Sequence, residues 1–257
     1  MYSRFYKPKP RLKTQKEIEL LRKANAIVME ILLYLKEEVK PGRNTYEFEE
    51  MAIKLCEKKG VKPAFKGYRG YPYALCVSVN EEIVHGMPRK DKVLKEGDIV
   101  SFDFGVIYEG YFGDAALTVG VGKISEEAEK LLKVTEEALY KGIEKAHFGN
   151  KIGDISYAIQ AYVEKYGFNV IRDFVGHGIG RDLHEPPEVP NYGKPGRGPK
   201  IEIGMTIAIE PMVSAGTYEI EILEDGWTAV TKDRSLAAHF EHTIAITPKG
   251  PKILSRI

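Results

Sequence analysis

The sequence predicts an α+β protein made of two similar halves, and three observations carry that expectation. Two pairs of amphipathic helical segments, one early and one in the middle of the chain, are each followed by strands with two-residue alternation. Residues 41–60 and 148–167 align without a gap, each with glycine second, Glu-Lys near the end and glycine last. The 257 residues, 43% of them hydrophobic, suffice for one large core, read as a single domain over 14–257 with pseudo-repeats at about 14–120 and 125–250.

The elements follow in order. Residues 1–13 hold Arg4, Lys7, Lys9, Arg11 and Lys13, no acid and two prolines, and read as a mobile basic arm. Its plain reading is a solvated tail; contact with the ribosome or RNA is the second. Thr14-Gln-Lys-Glu17 is a capping box, after which Ile18, Leu21, Val28, Ile31, Leu32, Leu35 and Val39 recur at helical spacing until Pro41-Gly42. A second helix runs from near Asn44 to Gly60.

The stretch DIVSFDFGVIYEGYFGDAALTVG sets Val100, Phe102, Phe104 and Val106 on one strand face and Ser101, Asp103 and Gly105 on the other. A turn near Tyr108 to Gly110 returns Asp114 on the face of Asp103, opposite it or one diagonal step away. Ser125 to about Ala146 and Asp154 to Gly167 form the second helix pair. In DFVGHGIGRDLHEPPEVPNY, residues 173–192, glycines and prolines exclude helix, so irregular backbone places His177 and His184. Two more strands alternate Ile207 and Ile209 with Thr206, Ala208 and Glu210, and Phe240, His242, Ile244 and Ile246 with Glu241, Thr243 and Ala245.

Composition removes several function classes. With 38 basic and 37 acidic residues there is no global field to attract nucleic acid or an anionic membrane. No apolar run approaches the roughly 18 residues that span a bilayer. The basic N-terminus lacks the apolar core of a secretory signal, and two cysteines make no disulfide framework, so a cytoplasmic protein, acting as a monomer, is expected.

Asp103, Asp114, Glu210 and Glu241 lie on strands that otherwise read as core, where an unpaired acid carries a large desolvation cost. Any one of them alone would be a satisfied buried acceptor. Together they need cations, and no Arg or Lys sits on these strands. Two divalent ions would neutralise four carboxylates, with His177, flanked by glycines, as the natural imidazole; this donor set suits Mn, Fe, Co or Zn. Paired ions sharing a water of lowered pKa point to hydrolysis.

SFDFG, then GDAA with its aspartate eleven residues after the first, GHGIG, AIEP and EHT, in that order, resemble the metallopeptidases of the pita-bread fold. GYRGYPYALCVSVNEEIVHGMP at 67–88 and DGWTAVTKDRSLAAHFEHTI at 225–244 narrow the resemblance to type I methionine aminopeptidases. It covers nearly the whole chain from about Arg11. It implies two pseudo-symmetric halves with a central curved antiparallel sheet covered by two pairs of helices, and a catalytic domain over 14–257.

It also implies that Asp103, Asp114, His177, Glu210 and Glu241 hold two divalent ions per chain, with Co, Mn, Fe, Zn and Ni all eligible. Asp114 and Glu241 would bridge both; Asp103 would complete one coordination sphere, His177 and Glu210 the other. His184 would stay off the metal and hydrogen-bond the scissile amide or the tetrahedral intermediate, and His85 would face the substrate near the cleaved bond. His147, His239 and His242 match no ligand position and are taken as structural. The expected chemistry is attack of a metal-bridging hydroxide on the carbonyl of the first residue, with Glu210 as general base. Phe65, Tyr68, Tyr71, Cys76, Leu183 and Trp227 would line the methionine pocket.

The implied activity is removal of the initiator methionine from nascent polypeptides when the second residue is small, with residues 1–13 as the segment that would meet the ribosome. Two alternatives are weighed: an Xaa-Pro aminopeptidase or prolidase of the same fold, and a non-catalytic pita-bread protein binding RNA or a partner.

Overall fold

The computed structural model describes residues 9–256. Most of the expected basic arm, residues 1–8, thus lies outside the described residues. In chain order the elements are helices α1 (Gln15–Glu37) and α2 (Thr45–Lys59), and strands β1 (Lys62–Pro63), β2 (Leu75–Val79), β3 (Glu82–Val84), β4 (Ile99–Tyr108) and β5 (Tyr111–Gly120). Helices α3 (Glu126–Ile143) and α4 (Ile152–Lys165) follow, then β6 (Asn169–Val170), β7 (Val175–Gly178), β8 (Glu185–Pro190), β9 (Thr206–Ile209) and β10 (Met212–Ser214). The last strands are β11 (Ile220–Ile222), β12 (Ala229–Thr231), β13 (Ala237–His239), β14 (Glu241–Thr247) and β15 (Gly250–Ile253).

The helix pairs begin alike. In α2 the Asn44 amide donates to Glu47 Oε1 at 3.0 Å, and in α4 the Lys151 amide donates to Asp154 Oδ2 at 2.8 Å. Both cap positions also form isolated bridges, Asn44 with Val93 and Lys151 with Lys200. The paired glycines of the ungapped alignment, Gly42 with Gly149 and Gly60 with Gly167, all have φ between 66° and 94°, a region open mainly to glycine. The internal likeness therefore resides in caps and turns, where local chemistry dictates residue type.

Nine strands form one sheet in the order β1-β4-β5-β14-β9-β7-β8, with β2 also on β4 and β15 also on β14. Its pairings are antiparallel. Phe102, Phe104, Ile207, Ile209, Ile244 and Ile246 share one core with Val28 and Ile31 of α1, Leu131 of α3 and Ile159 of α4. Both helix pairs thus bury the apolar faces of the strands. The alternate positions, bearing the acids, point the other way.

Turn geometry resolves the placement of Asp114. Tyr108 pairs with Tyr111 across the two residues Glu109 and Gly110, both at positive φ, as a tight hairpin of this twist requires. Asp114 then lies opposite Gly105 and one diagonal step from Asp103. Next to it, Gly113 lets α1 approach: a Cβ there would sit 2.6 Å from the Ala24 carbonyl carbon. Asn25 of α1 accepts from the Asp114 amide at 3.2 Å and donates to Leu21 O at 2.9 Å, tying the acid's backbone to the helix.

The described end of the arm differs from expectation. The Lys13 amide donates to Gly204 O at 2.7 Å and its ammonium is buried against Glu185. Lys13 belongs to the fold, and any free arm stops before it.

Candidate metal centre and substrate pocket

Five neighbouring strands each bring one predicted ligand to the same face. Asp103 comes from β4, Asp114 from β5, Glu241 from the start of β14, Glu210 from just past the end of β9, and His177 from β7. Metal-ligating atoms of Asp114, His177 and Glu241 lie within 4.8 Å of one another. Asp103 Oδ1, Asp114 Oδ1 and Glu241 Oε1 are buried without a hydrogen-bond partner. Burial pushes the Asp103 carboxyl up to about 7. Burial first, and then the neighbouring acids, raise Asp114, Glu210 and Glu241 well above the carboxylate range. Acids that repel one another and leave oxygens unpaired form a cradle for positive charge.

The two loop histidines are held differently. His177, 7% exposed, has Nδ1 at 2.9 Å from Gly178 O. A carbonyl only accepts, so Nδ1 carries the ring proton and Nε2 the lone pair. That lone pair faces the acids, 3.5 Å from Glu210 Oε1 and 3.8 Å from Asp114 Oδ2. Burial lowers the His177 pKa to about 4, so the ring is neutral near pH 7 and fit to ligate. The His184 ring lies 4.2 Å from that of His177, centroid to centroid, and its Nδ1 is 2.7 Å from Tyr68 Oη. The cleft and the adjacent His177 lower its pKa to about 3.

A cavity of about 310 Å³ joins these groups to an apolar slot. Its walls include the five acid and imidazole positions, His85, His184, and all six residues expected around a methionine side chain. Phe65, Tyr71, Cys76 and Leu183 are buried in one apolar cluster, with Tyr68 and Trp227 packed on it. The Tyr71 and Trp227 rings meet edge to face at 5.2 Å between centroids. His85 also lines the cavity, its ring edge-on to Phe174 at 5.3 Å and to Trp227 at 6.4 Å.

The model of metallopeptidase family M24 matches residues 19–248. The chain belongs to metallopeptidase family M24. A similar chain is the methionine aminopeptidase of Clostridium perfringens (strain 13 / Type A), 56% identical over 246 residues that make up 96% of this chain and 98% of that one. The crystal structure of methionine aminopeptidase from Thermotoga maritima superposes with a TM-score of 0.95 at 53% identity, covering 97% of this M24 chain and 100% of that chain. The prolidase of Pyrococcus horikoshii OT3 shares the fold at a TM-score of 0.78 and 25% identity, but this chain covers only 63% of that longer one. Within M24 the chain therefore groups with the methionine aminopeptidases, and its fold is the expected pita-bread arrangement.

Two features of the M24 site were not legible beforehand. His239, expected to be structural, is 1% exposed with neither ring nitrogen partnered, and its Nε2 lies 3.7 Å from Glu210 Oε2. Its distance of two residues from Glu241 was the available signal, since such positions share a strand face. Phe174 also enters the lining, at the loop start, where no periodicity marks it. His242 is held by Ser255 Oγ at 2.8 Å, away from the cavity.

Proposed function

We propose that this M24 chain is a methionyl aminopeptidase that holds two divalent ions and removes the initiator methionine from nascent proteins in the cytoplasm. The observation that carries the reading is the continuity of one cavity from the acid and imidazole cluster to a slot lined by apolar and aromatic side chains. Asp103, Asp114, His177, Glu210 and Glu241 would hold the ions. The unpaired carboxylate oxygens and the Nε2 lone pair of His177 are the donors such ions need, and Mn, Fe, Co, Zn and Ni all accept this set. Once bound, divalent ions supply Lewis acidity and a water acidic enough to ionise near neutral pH.

The chain's own groups do the rest. Thioether sulfur is favourable against aromatic edges, which Tyr71 and Trp227 present. Because two divalent ions would balance the four carboxylates, the N-terminal residue would enter with a free, neutral α-amine able to act as a ligand, which restricts cleavage to that residue. Glu210, beside the reacting carbonyl, takes a proton from the attacking water and delivers it to the leaving amine. His184 Nδ1 pairs with the Tyr68 hydroxyl, and in the tautomer where that hydroxyl donates, Nε2–H would be left to stabilise the developing oxyanion. His85, whose pKa burial lowers to about 4, is neutral and offers a second hydrogen bond.

A single chain supplies every lining residue, so the reading needs no second copy. None of the helices among the described residues is long and apolar enough to cross a membrane. Digestion of Met-Ala-Ser, an Xaa-Pro peptide and acetyl-Met-Ala, each with and without chelator, tests the proposal. Free methionine is expected from the first peptide alone, and only without chelator. Cleavage of Xaa-Pro in preference would favour the prolidase reading.

A further inference from the structure

Lys13 and Glu185 are separated by 172 positions, yet their side chains meet at 2.5 Å with only 5% and 3% of their surfaces exposed. The pair lies behind the loop between β7 and β8, the six residues 179–184 that carry Leu183 and His184. Glu185 turns back along that loop: its Oε1 accepts from the Arg181 amide at 2.9 Å and the Asp182 amide at 3.4 Å, while Oε2 takes the lysine ammonium. Lys13 is anchored in turn, donating from Nζ to Arg11 O at 2.9 Å and from its amide to Gly204 O at 2.7 Å. Gly180 leaves the space: a Cβ there would lie 2.6 Å from Lys13 Cε. The other loop end is fixed to β5, the Phe112 amide donating to Gly180 O at 2.9 Å.

We infer that Lys13 and Glu185 form a buried clasp that positions His184 for catalysis. A carboxylate inside the protein keeps its place only while its charge and lone pairs are met. Without the ammonium, Glu185 turns out toward water, releases the Arg181 and Asp182 amides, and lets the loop bearing His184 drift. A displacement of about 1 Å at a catalytic group is enough to cost on the order of a hundred-fold in rate. Among the described residues the side-chain hydrogen bonds of the clasp run to Arg11, Arg181 and Asp182 and to no proposed metal ligand, so its loss is expected to act on turnover rather than on metal binding. The inference rests on the aminopeptidase reading for His184, but the clasp itself also has a readout independent of activity.

Wild type, Lys13→Met, His184→Ala and the double variant, each loaded with Mn, are assayed on Met-Ala-Ser. Lys13→Met is expected to lower kcat about ten-fold or more, with KM and metal per chain within about two-fold of wild type. In the His184→Ala background the same change should cost less than about two-fold, because the group it positions is gone. In the metal-free protein, amides of 180–188 should exchange faster in Lys13→Met while those of β4 and β5 are unchanged. Glu185→Gln, which keeps the volume, should act in the same direction and serves if Lys13→Met does not fold. Equal loss of kcat in both backgrounds, or a loop exchanging no faster than in wild type, overturns the clasp. An inactive wild type would instead count against the aminopeptidase reading, and exchange alone would then decide the clasp.

Discussion

Glu49 and Asp114 are both buried carboxylates, 2% and 3% exposed, yet only one is satisfied by its surroundings. Glu49 accepts from the amides of Ala74 and Leu75 at 2.8 to 3.1 Å, so both of its oxygens are occupied. Asp114 Oδ1 has no partner, nor do Asp103 Oδ1 and Glu241 Oε1. That difference separates a structural acid from one waiting for a cation. It also has a pH signature. The folded metal-free protein holds these carboxyls above their ordinary values, Asp103 at about 7 against 3.8, so it binds more protons folded than unfolded. Its stability therefore falls as the pH rises toward and through the folded values, and bound cations reverse that penalty. The drop in Tm caused by chelator should be larger at pH 8 than at pH 5; an equal or smaller drop at pH 8 would contradict this.

The histidines divide in the same way. His177→Ala should lose bound metal, whereas His184→Ala should keep it and lose roughly a hundred-fold in kcat. Metal analysis alongside steady-state kinetics checks both, and loss of metal from His184→Ala would show the roles exchanged. Glycine spacing singled out His177 as the candidate ligand in the sequence itself. That His239 lies beside Glu210 was signalled only by its two-residue spacing from Glu241, since no ligand motif of the sequence includes it.

Among the elements, those fixed by local chemistry were the most legible. Thr14-Gln-Lys-Glu17 caps α1 as its spacing requires, the Thr14 amide donating to Glu17 Oε2 at 2.9 Å, and Tyr111 Oη donates to Glu17 Oε1 at 2.9 Å. The Thr14 amide first, and then the Tyr111 hydroxyl, lower the Glu17 pKa to about 2 from 4.5. A depressed acid stabilises the fold fully above its unfolded value and loses that contribution as the pH falls from about 4.5 toward 2. Glu17→Gln should thus cost about 1 kcal/mol at pH 7 and nothing near pH 2. Urea unfolding across that range checks it; a cost independent of pH would mean the charge plays no part. Tyr111 as the second partner was not legible, since 94 residues separate the two.

At the scale of the whole molecule, the site is a property of strand order. β4, β5, β14, β9 and β7 are consecutive across the sheet but drawn from both halves of the chain, and each delivers one acid or imidazole to the face opposite the shared core. Alternation in the sequence showed which face each acid takes, because the pleat fixes it. It could not show which strands are neighbours, and there the resemblance of separated motifs carried the expectation. Nothing local in the sequence announces that Lys13 meets Glu185, so that part of the site is visible only once the chain has folded.

Anomalous diffraction from crystals of the full chain soaked in Mn tests the central claim most directly. Two peaks are expected, with ligand atoms of Asp103, Asp114, His177, Glu210 and Glu241 at about 2.0–2.3 Å. Asp114 and Glu241 should contact both peaks, and His184 neither. Ions bound elsewhere, or a site built on His184 with His177 unligated, would contradict the account.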